Sequence, residues 1–299
     1  MTALIGVLAG VGTAFSWSVS STVHAQASRL LGVHPFMMLR QPLAVCVLCV
    51  VCALAGELRL YPWGSASMAL LSGFVGIAMC DWCTYESIGR IGIRSTLVCL
   101  SLNSCVTALL GAAFLGGSLG GQGLAGMGIA TAGVVMVIVG EQRDVHSRSV
   151  SAHERNVGLM LACGAACAMA VGMIASKEAL RLDMPPLALS LLRNVAATVI
   201  LWAFGVGLHR ARRALHALHE TPVVIKYLLA GCFFGPTGGI WLSCVALQHL
   251  PAAVAATLIG LQPVAVLVVS GLWERRRPAV ASIVGACTAC AGAAVLLLR

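Results

Sequence analysis

Four ionisable residues stand where an apolar chain has least use for them. Arg40, Asp81, Glu86 and Arg193 all fall inside long apolar runs. A charge within a membrane span is unfavourable unless it faces a bundle interior or water, so each is a candidate for function. Arg40 lies about five residues inside its run and Arg193 about eight. Each either snorkels to the interface or faces a cavity, where it would bind an anionic group of a solute. Asp81 is deeper. Desolvation disfavours its anion and a nearby Arg favours it, so it suits proton coupling or cation binding. The alternative is a buried carboxylate bonded to backbone or paired with an Arg. Glu86 has Arg90 four positions on, the spacing of a helical ion pair, and reads as structural.

A second set of residues is defined by registration. With Gly76 placed over Gly235 and no gaps, Trp82 falls on Trp241, Asn103 on Gln262, Gly126 on Gly285 and Gly133 on Gly292. Paired Trp residues would form aromatic walls for apolar or ring-bearing solutes, or else pack the bundle or its interfacial belt. Asn103 and Gln262 bring amides into apolar spans, either for interhelical hydrogen bonds or for contact with a solute. Leu39-Arg40-Gln41 likewise resembles Leu192-Arg193-Asn194.

Other chemistry is spelled out but lacks its context. Gly116-Gly117-Ser118-Leu119-Gly120 has the G-x-S-x-G letters, yet it lies between two apolar runs with no strand-turn-helix around it. Neither H-E-x-x-H nor a P-loop occurs. Cys80/Cys83 and Cys287/Cys290 read C-x-x-C without further ligands at matching spacing, so no metal site, cofactor or enzyme activity is expected. The remaining cysteines sit in apolar helical runs and should pack as small hydrophobes. The basic runs Arg210–Arg213 and Arg275–Arg277 lack interleaved aromatics and flank apolar runs. They suit lipid headgroups, not nucleic acid.

The elements that must position these residues follow from composition. Of 299 residues, 59% are hydrophobic and 10% charged, and the mean hydropathy is +0.95. So few charges cannot cover a soluble globule, which carries roughly 25%. The outer surface must therefore face a bilayer. Continuous apolar runs without period-2 alternation predict helices, not a barrel. Ten runs reach the length of a span: Thr2–Val23, Phe36–Ala55, Ala66–Ser87, Ile93–Leu115, Gly121–Gly140, Val157–Ser176, Pro185–Leu208, Val223–Leu247, Ala252–Trp273 and Pro278–Leu298. A polar segment, residues 141–156, separates five spans in 1–140 from five in 157–299. Five is odd, so repeats of this kind must be inverted, with a site near midplane between them. Gly6/Gly10, Gly117/Gly121 and Gly235/Gly239 are four apart and predict close helix packing. Pro236 and Pro263, inside runs, predict kinks.

The stretch Gly76-Ile-Ala-Met-Cys-Asp81-Trp82-Cys-Thr-Tyr85-Glu-Ser-Ile-Gly89 resembles the third-span signature of EamA-type transporters of the drug/metabolite transporter superfamily. Gly235-Pro236-Thr-Gly-Gly-Ile-Trp241, with His249-Leu-Pro251 through Gln262-Pro263 and then Trp273-Glu274, matches more strongly. Ser104 stands where the family has proline, and Leu115-Gly116-Gly117 lacks its Glu, which points to halves that have diverged in role. The resemblance implies an all-α, multi-pass protein of the inner (cytoplasmic) membrane, with ten helices as two inverted five-helix repeats. It would export small metabolites, amino-acid-like or drug-like, by alternating access, as a monomer or homodimer. Solute contact would fall to Arg40, Asp81, Trp82, Asn103, Arg193, Trp241 and Gln262. A structural or regulatory membrane protein without flux is the competing reading. Orientation divides the two lines of reasoning. Thirteen Lys and Arg side chains flank one set of span ends against four on the other, which puts both termini outside; the resemblance implies termini inside.

Overall fold

Without water to bond, a backbone in a bilayer must satisfy its own N–H and C=O groups, and a helix does so within one segment. The computed structural model is accordingly almost entirely helical among its described residues. It describes residues 2–31, 33–116, 120–140, 151–207, 224–274 and 279–297, apart from side chains at 24–29, 31, 33–34, 37, 93–94, 140, 205–207, 224, 267 and 270–274. Ser118, most of the polar segment, Arg210–Arg213 and Arg275–Arg277 lie outside the described residues, as do the side chains of Trp273 and Glu274.

The elements are α1 (Thr2–Leu31), α2 (Val33–Leu54), α3 (Trp63–Gly73), α4 (Cys80–Leu100), α5 (Asn103–Leu115), α6 (Gly121–Gly140), α7 (Ala152–Arg181) and α8 (Pro186–Gly207). They continue with α9 (Val224–Cys232), α10 (Gly238–His249), α11 (Ala252–Ile259), α12 (Gln262–Glu274) and α13 (Val280–Leu297). Among the described residues eight continuous stretches are long and apolar enough to cross a membrane, and Met38–Leu54 and Ala252–Val266 are shorter apolar helical stretches. The protein is thus a polytopic, all-α membrane protein.

The proline expectations need correction. Pro236 does not simply kink an α-helix: it lies in a wide π segment, Phe233–Thr237, that joins α9 to α10. The first half has the same feature without a proline, Phe74–Met79 between α3 and α4. Pro263 is the second residue of α12, where its missing N–H costs little, and the break falls just before it at Gly260–Leu261. A matching break at Ser101–Leu102 separates α4 from α5. Gly92 ends the third apolar stretch at φ 81°, a left-handed conformation that favours glycine.

Contacts between helices run in opposite chain directions. Gly126 of α6 lies against Gly292 and Leu296 of α13, while Gly133 lies against Gly285 and Ala289. Among the described residues this is the most extensive helix–helix contact. A Cβ on Gly126 would stand 2.7 Å from the Leu296 nitrogen, so nothing larger than hydrogen fits. Leu48 of α2 packs with Leu191 of α8, and farther along Trp202 Nε1 donates to the Met38 carbonyl at 2.9 Å. Ser72 Oγ of α3 donates to the Gly172 carbonyl of α7 at 2.7 Å, and Ser87 Oγ of α4 to that of Gly158 at 2.9 Å. Gly6 and Gly10 of α1 meet Leu250 and Ala246, and Ser20 Oγ donates to the Gly231 carbonyl at 3.1 Å.

Among the described residues none lies within 4 Å of where a side chain on Gly121 would begin, and its expected partner Gly117 lies outside them. All thirteen cysteines are free, but Cys46, Cys163, Cys167, Cys287 and Cys290 are exposed. Their apolar surroundings are those of a bilayer rather than of the protein core.

Candidate functional site

Arg40 and Arg193 are both buried, at 8% and 6% exposure. Neither snorkels. The reason is local: each sits on the inward face of its helix, beside a π segment or its flank in the opposite half. A Cβ on Gly235 would come within 3.7 Å of Arg40 Nη1. A Cβ on Gly73 would collide with the Arg193 carbonyl, so the missing side chain lets α3 press against α8 at this point.

Arg40 reaches across to α4. Its Nη2 lies 3.4 Å from Asp81 Oδ2, an ion pair whose side chains are 10% and 29% exposed. Of the sequence candidates, these two are brought together. Arg193 takes another direction. Its Nη1 is 3.6 Å from Cys244 Sγ on α10, and its Nε has no partner among the described residues.

The two amides lie at the mid-span breaks, and each spans the halves. Asn103, buried at the start of α5, places Nδ2 3.8 Å from Met173 Sδ and accepts from Thr107 Oγ1 at 3.1 Å. Gln262 Nε2 donates to the Trp17 carbonyl at 3.5 Å, and the Gln262 carbonyl accepts from Ser18 Oγ at 3.1 Å. The tryptophans part company. Trp82 meets Phe204, ring centroids 6.0 Å apart, whereas Trp241 is 42% exposed and meets no ring among the described residues. Glu86 pairs with Arg90 at 2.7 Å, and Arg90 also reaches Glu154 at 3.2 Å, tying α4 to α7.

The chain matches the EamA-like transporter family twice, over residues 4–139 and again over 156–298. The chain belongs to that family. A solved crystal structure with 17% sequence identity superposes with a TM-score of 0.78, covering 98% of this chain and 96% of the other, which shows a shared fold. No match is found among curated proteins. As an EamA-like chain, this protein is a multi-pass membrane protein of a transporter family.

Residues that the sequence reading passed over also lie in this EamA-like interior. Gln41 and Asn194, the third members of the two Leu-Arg-amide triplets, are fully buried. Asn194 Nδ2 donates to the Pro236 carbonyl at 3.2 Å. Its Oδ1, both Gln41 amide atoms, Ser190 Oγ and Thr198 Oγ1 have no partner among the described residues. Ser190, Asn194 and Thr198 stand at i, i+4 and i+8 and so share one face of α8. The triplet repeat was the available signal. Trp17 carried none: Gly239 and Gln262 press on it from the other half.

A separate cavity of about 430 Å³ opens where α5 and α7 end and α11 begins, lined in part by Leu115, Lys177, Arg181, His249 and Pro251. Lys177 Nζ donates to the Leu247 carbonyl at 2.5 Å and the Leu250 carbonyl at 2.9 Å, and Arg181 Nη2 to that of Leu115 at 3.0 Å. These cations satisfy carbonyls that a helix end leaves without intrahelical partners.

Proposed function

We propose that the protein is a secondary transporter that exports small metabolites by alternating access, from the inner (cytoplasmic) membrane. Its residues 1–140 and 157–299 would be five-helix repeats, ten spans in all, related by inversion in the membrane plane. The antiparallel contacts of α6 with α13 and of α2 with α8 support the inversion, because elements at equivalent places in inverted repeats must run in opposite directions. The observation that carries the transport reading is the Arg40–Asp81 pair, a buried Arg with a half-buried Asp. A structural bundle gains little from an ion pair in its interior, where apolar residues of similar volume stabilise as well or better. In a carrier, such a pair can open and close. Asp81 would bind the coupling proton when Arg40 moves away and release it when Arg40 returns. The second half holds Ile240 at the matching place, so one proton site per chain is expected. Arg40, Trp82, Asn103, Arg193, Trp241 and Gln262 would line the path.

The test is flux in vesicles reconstituted with the purified full chain, against empty vesicles. They are loaded with a defined mixture of amino acids, their N-acetyl derivatives and the matching neutral carboxamides, with release followed by mass spectrometry. Selective release of any member supports a transporter. Release at the empty-vesicle rate for every member would refute it.

A further inference from the structure

Arg193 is a second guanidinium in the interior, and its electrostatics differ from those of Arg40. Four ion pairs occur among the described residues: Arg40–Asp81, Arg90–Glu86, Arg90–Glu154 and Arg181–Glu178. None includes Arg193, which is 6% exposed. A buried charge without a counter-charge is strongly unfavourable, more so than a buried pair. Asp81 does not fill the role, since its Oδ2 lies 3.4 Å from Arg40.

The orientation of the guanidinium is specific. Nη1 is turned to Cys244 Sγ at 3.6 Å, a weak acceptor. Nε has no partner, and no hydrogen bond is made by Nη2 among the described residues. These two nitrogens form the side-on edge of the guanidinium, whose parallel N–H bonds match the two oxygens of a carboxylate. The backbone behind the edge is held in place, because Gly73 packs on the Arg193 main chain. One helical position on, Asn194 Oδ1 is also buried and without a partner.

We infer that Arg193 is the anchor for a single carboxylate on the transported solute, so that the substrate class is small organic monocarboxylates. Charge balance selects the class. Arg40 and Asp81 cancel, leaving Arg193 as one positive charge among the described residues of the interior, which one carboxylate neutralises. A phosphate, at about −1.5 to −2, would leave an excess negative charge. A neutral carboxamide would leave Arg193 unmatched. The inference rests on the transporter reading above and narrows it.

The experiment uses the same reconstituted full chain and the same mixture. The expected result is release of the N-acetyl acids, whose single charge is the carboxylate, with their carboxamides retained. Arg193→Gln should cut that release at least about tenfold, the effect of removing a charge-assisted bond. Arg193→Lys should retain an intermediate rate, since it keeps the charge and loses the fork. Thermal unfolding of the detergent-purified wild-type chain gives a reading that needs no variant. N-acetyl-leucine should raise the midpoint, while N-acetyl-leucinamide and inorganic phosphate should not. Release of carboxamides as fast as acids would overturn the inference and leave the transporter reading standing. So would an Arg193→Gln chain, monodisperse and folded, that releases acids at the wild-type rate. Equal stabilisation by chloride and N-acetyl-leucine would mean an inorganic anion only, and overturns it too. No release of anything would instead refute transport itself.

Discussion

Asp81→Asn removes the proposed proton site together with the counter-charge of Arg40. Asparagine keeps the size of the side chain and can still meet Arg40 across the present 3.4 Å. Asp81 is the one candidate coupling carboxylate, because Ile240 stands at the matching place in the second half. One proton per cycle then sets the scale. A gradient of one pH unit stores about 1.36 kcal/mol per proton, which supports about tenfold accumulation of an exchanged solute. The assay is accumulation of a released member of the vesicle mixture, with the membrane potential clamped at zero and pH imposed across the bilayer. Wild type should approach the tenfold ratio, and Asp81→Asn should stay near unity. Exchange of labelled for unlabelled solute at equal pH should persist in the variant, because alternating access itself is intact. Accumulation that survives Asp81→Asn with an unchanged pH profile would refute proton coupling at Asp81 and leave it a packing residue.

Other perturbations test the interior and its supports. Arg40→Gln leaves Asp81 without its cation and should destabilise the chain by about 3 kcal/mol, with the Arg40→Gln/Asp81→Asn double variant closer to wild type, measured by thermal unfolding in detergent. Gly285→Val should destabilise by roughly 1–3 kcal/mol or more, because a Cβ there would stand 2.7 Å from the Val137 nitrogen, whereas Gly121→Ala, in open space, should not. Lys177→Met should lower stability by roughly 1.5–3 kcal/mol, having lost the charged bonds to the Leu247 and Leu250 carbonyls.

The apolar stretches were legible because hydropathy alone marks a backbone that must close its own hydrogen bonds. Their interruptions were legible only in part. Pro263 signals the break at Gly260–Leu261, but Ser101–Leu102 and the π segment Phe74–Met79 carry no proline, and their composition does not differ from the helix around them. Arg40, Asp81 and Arg193 stood out as charges in apolar runs. Which of them pair did not, since partners 41 positions apart are chosen by how α2 rotates against α4. Equal places in two halves do not guarantee equal neighbours either: Trp82 stands beside Phe204, while Trp241 is 42% exposed. Gln41 and Asn194 were visible in the repeated triplets but have no charge to draw attention.

The pairing of α6 with α13 has a consequence for how the chain is made. The glycine face of α6 at Gly126 and Gly133 is complete soon after the first half is translated. Its partner face, Gly285 and Gly292, lies in α13, which is translated only with the second half. Until then the narrow face of α6 meets lipid, which cannot reach the backbone as closely as another glycine does. Assembly therefore cannot finish half by half during synthesis. The first half must wait, inserted but unsealed, for α13 to close against it.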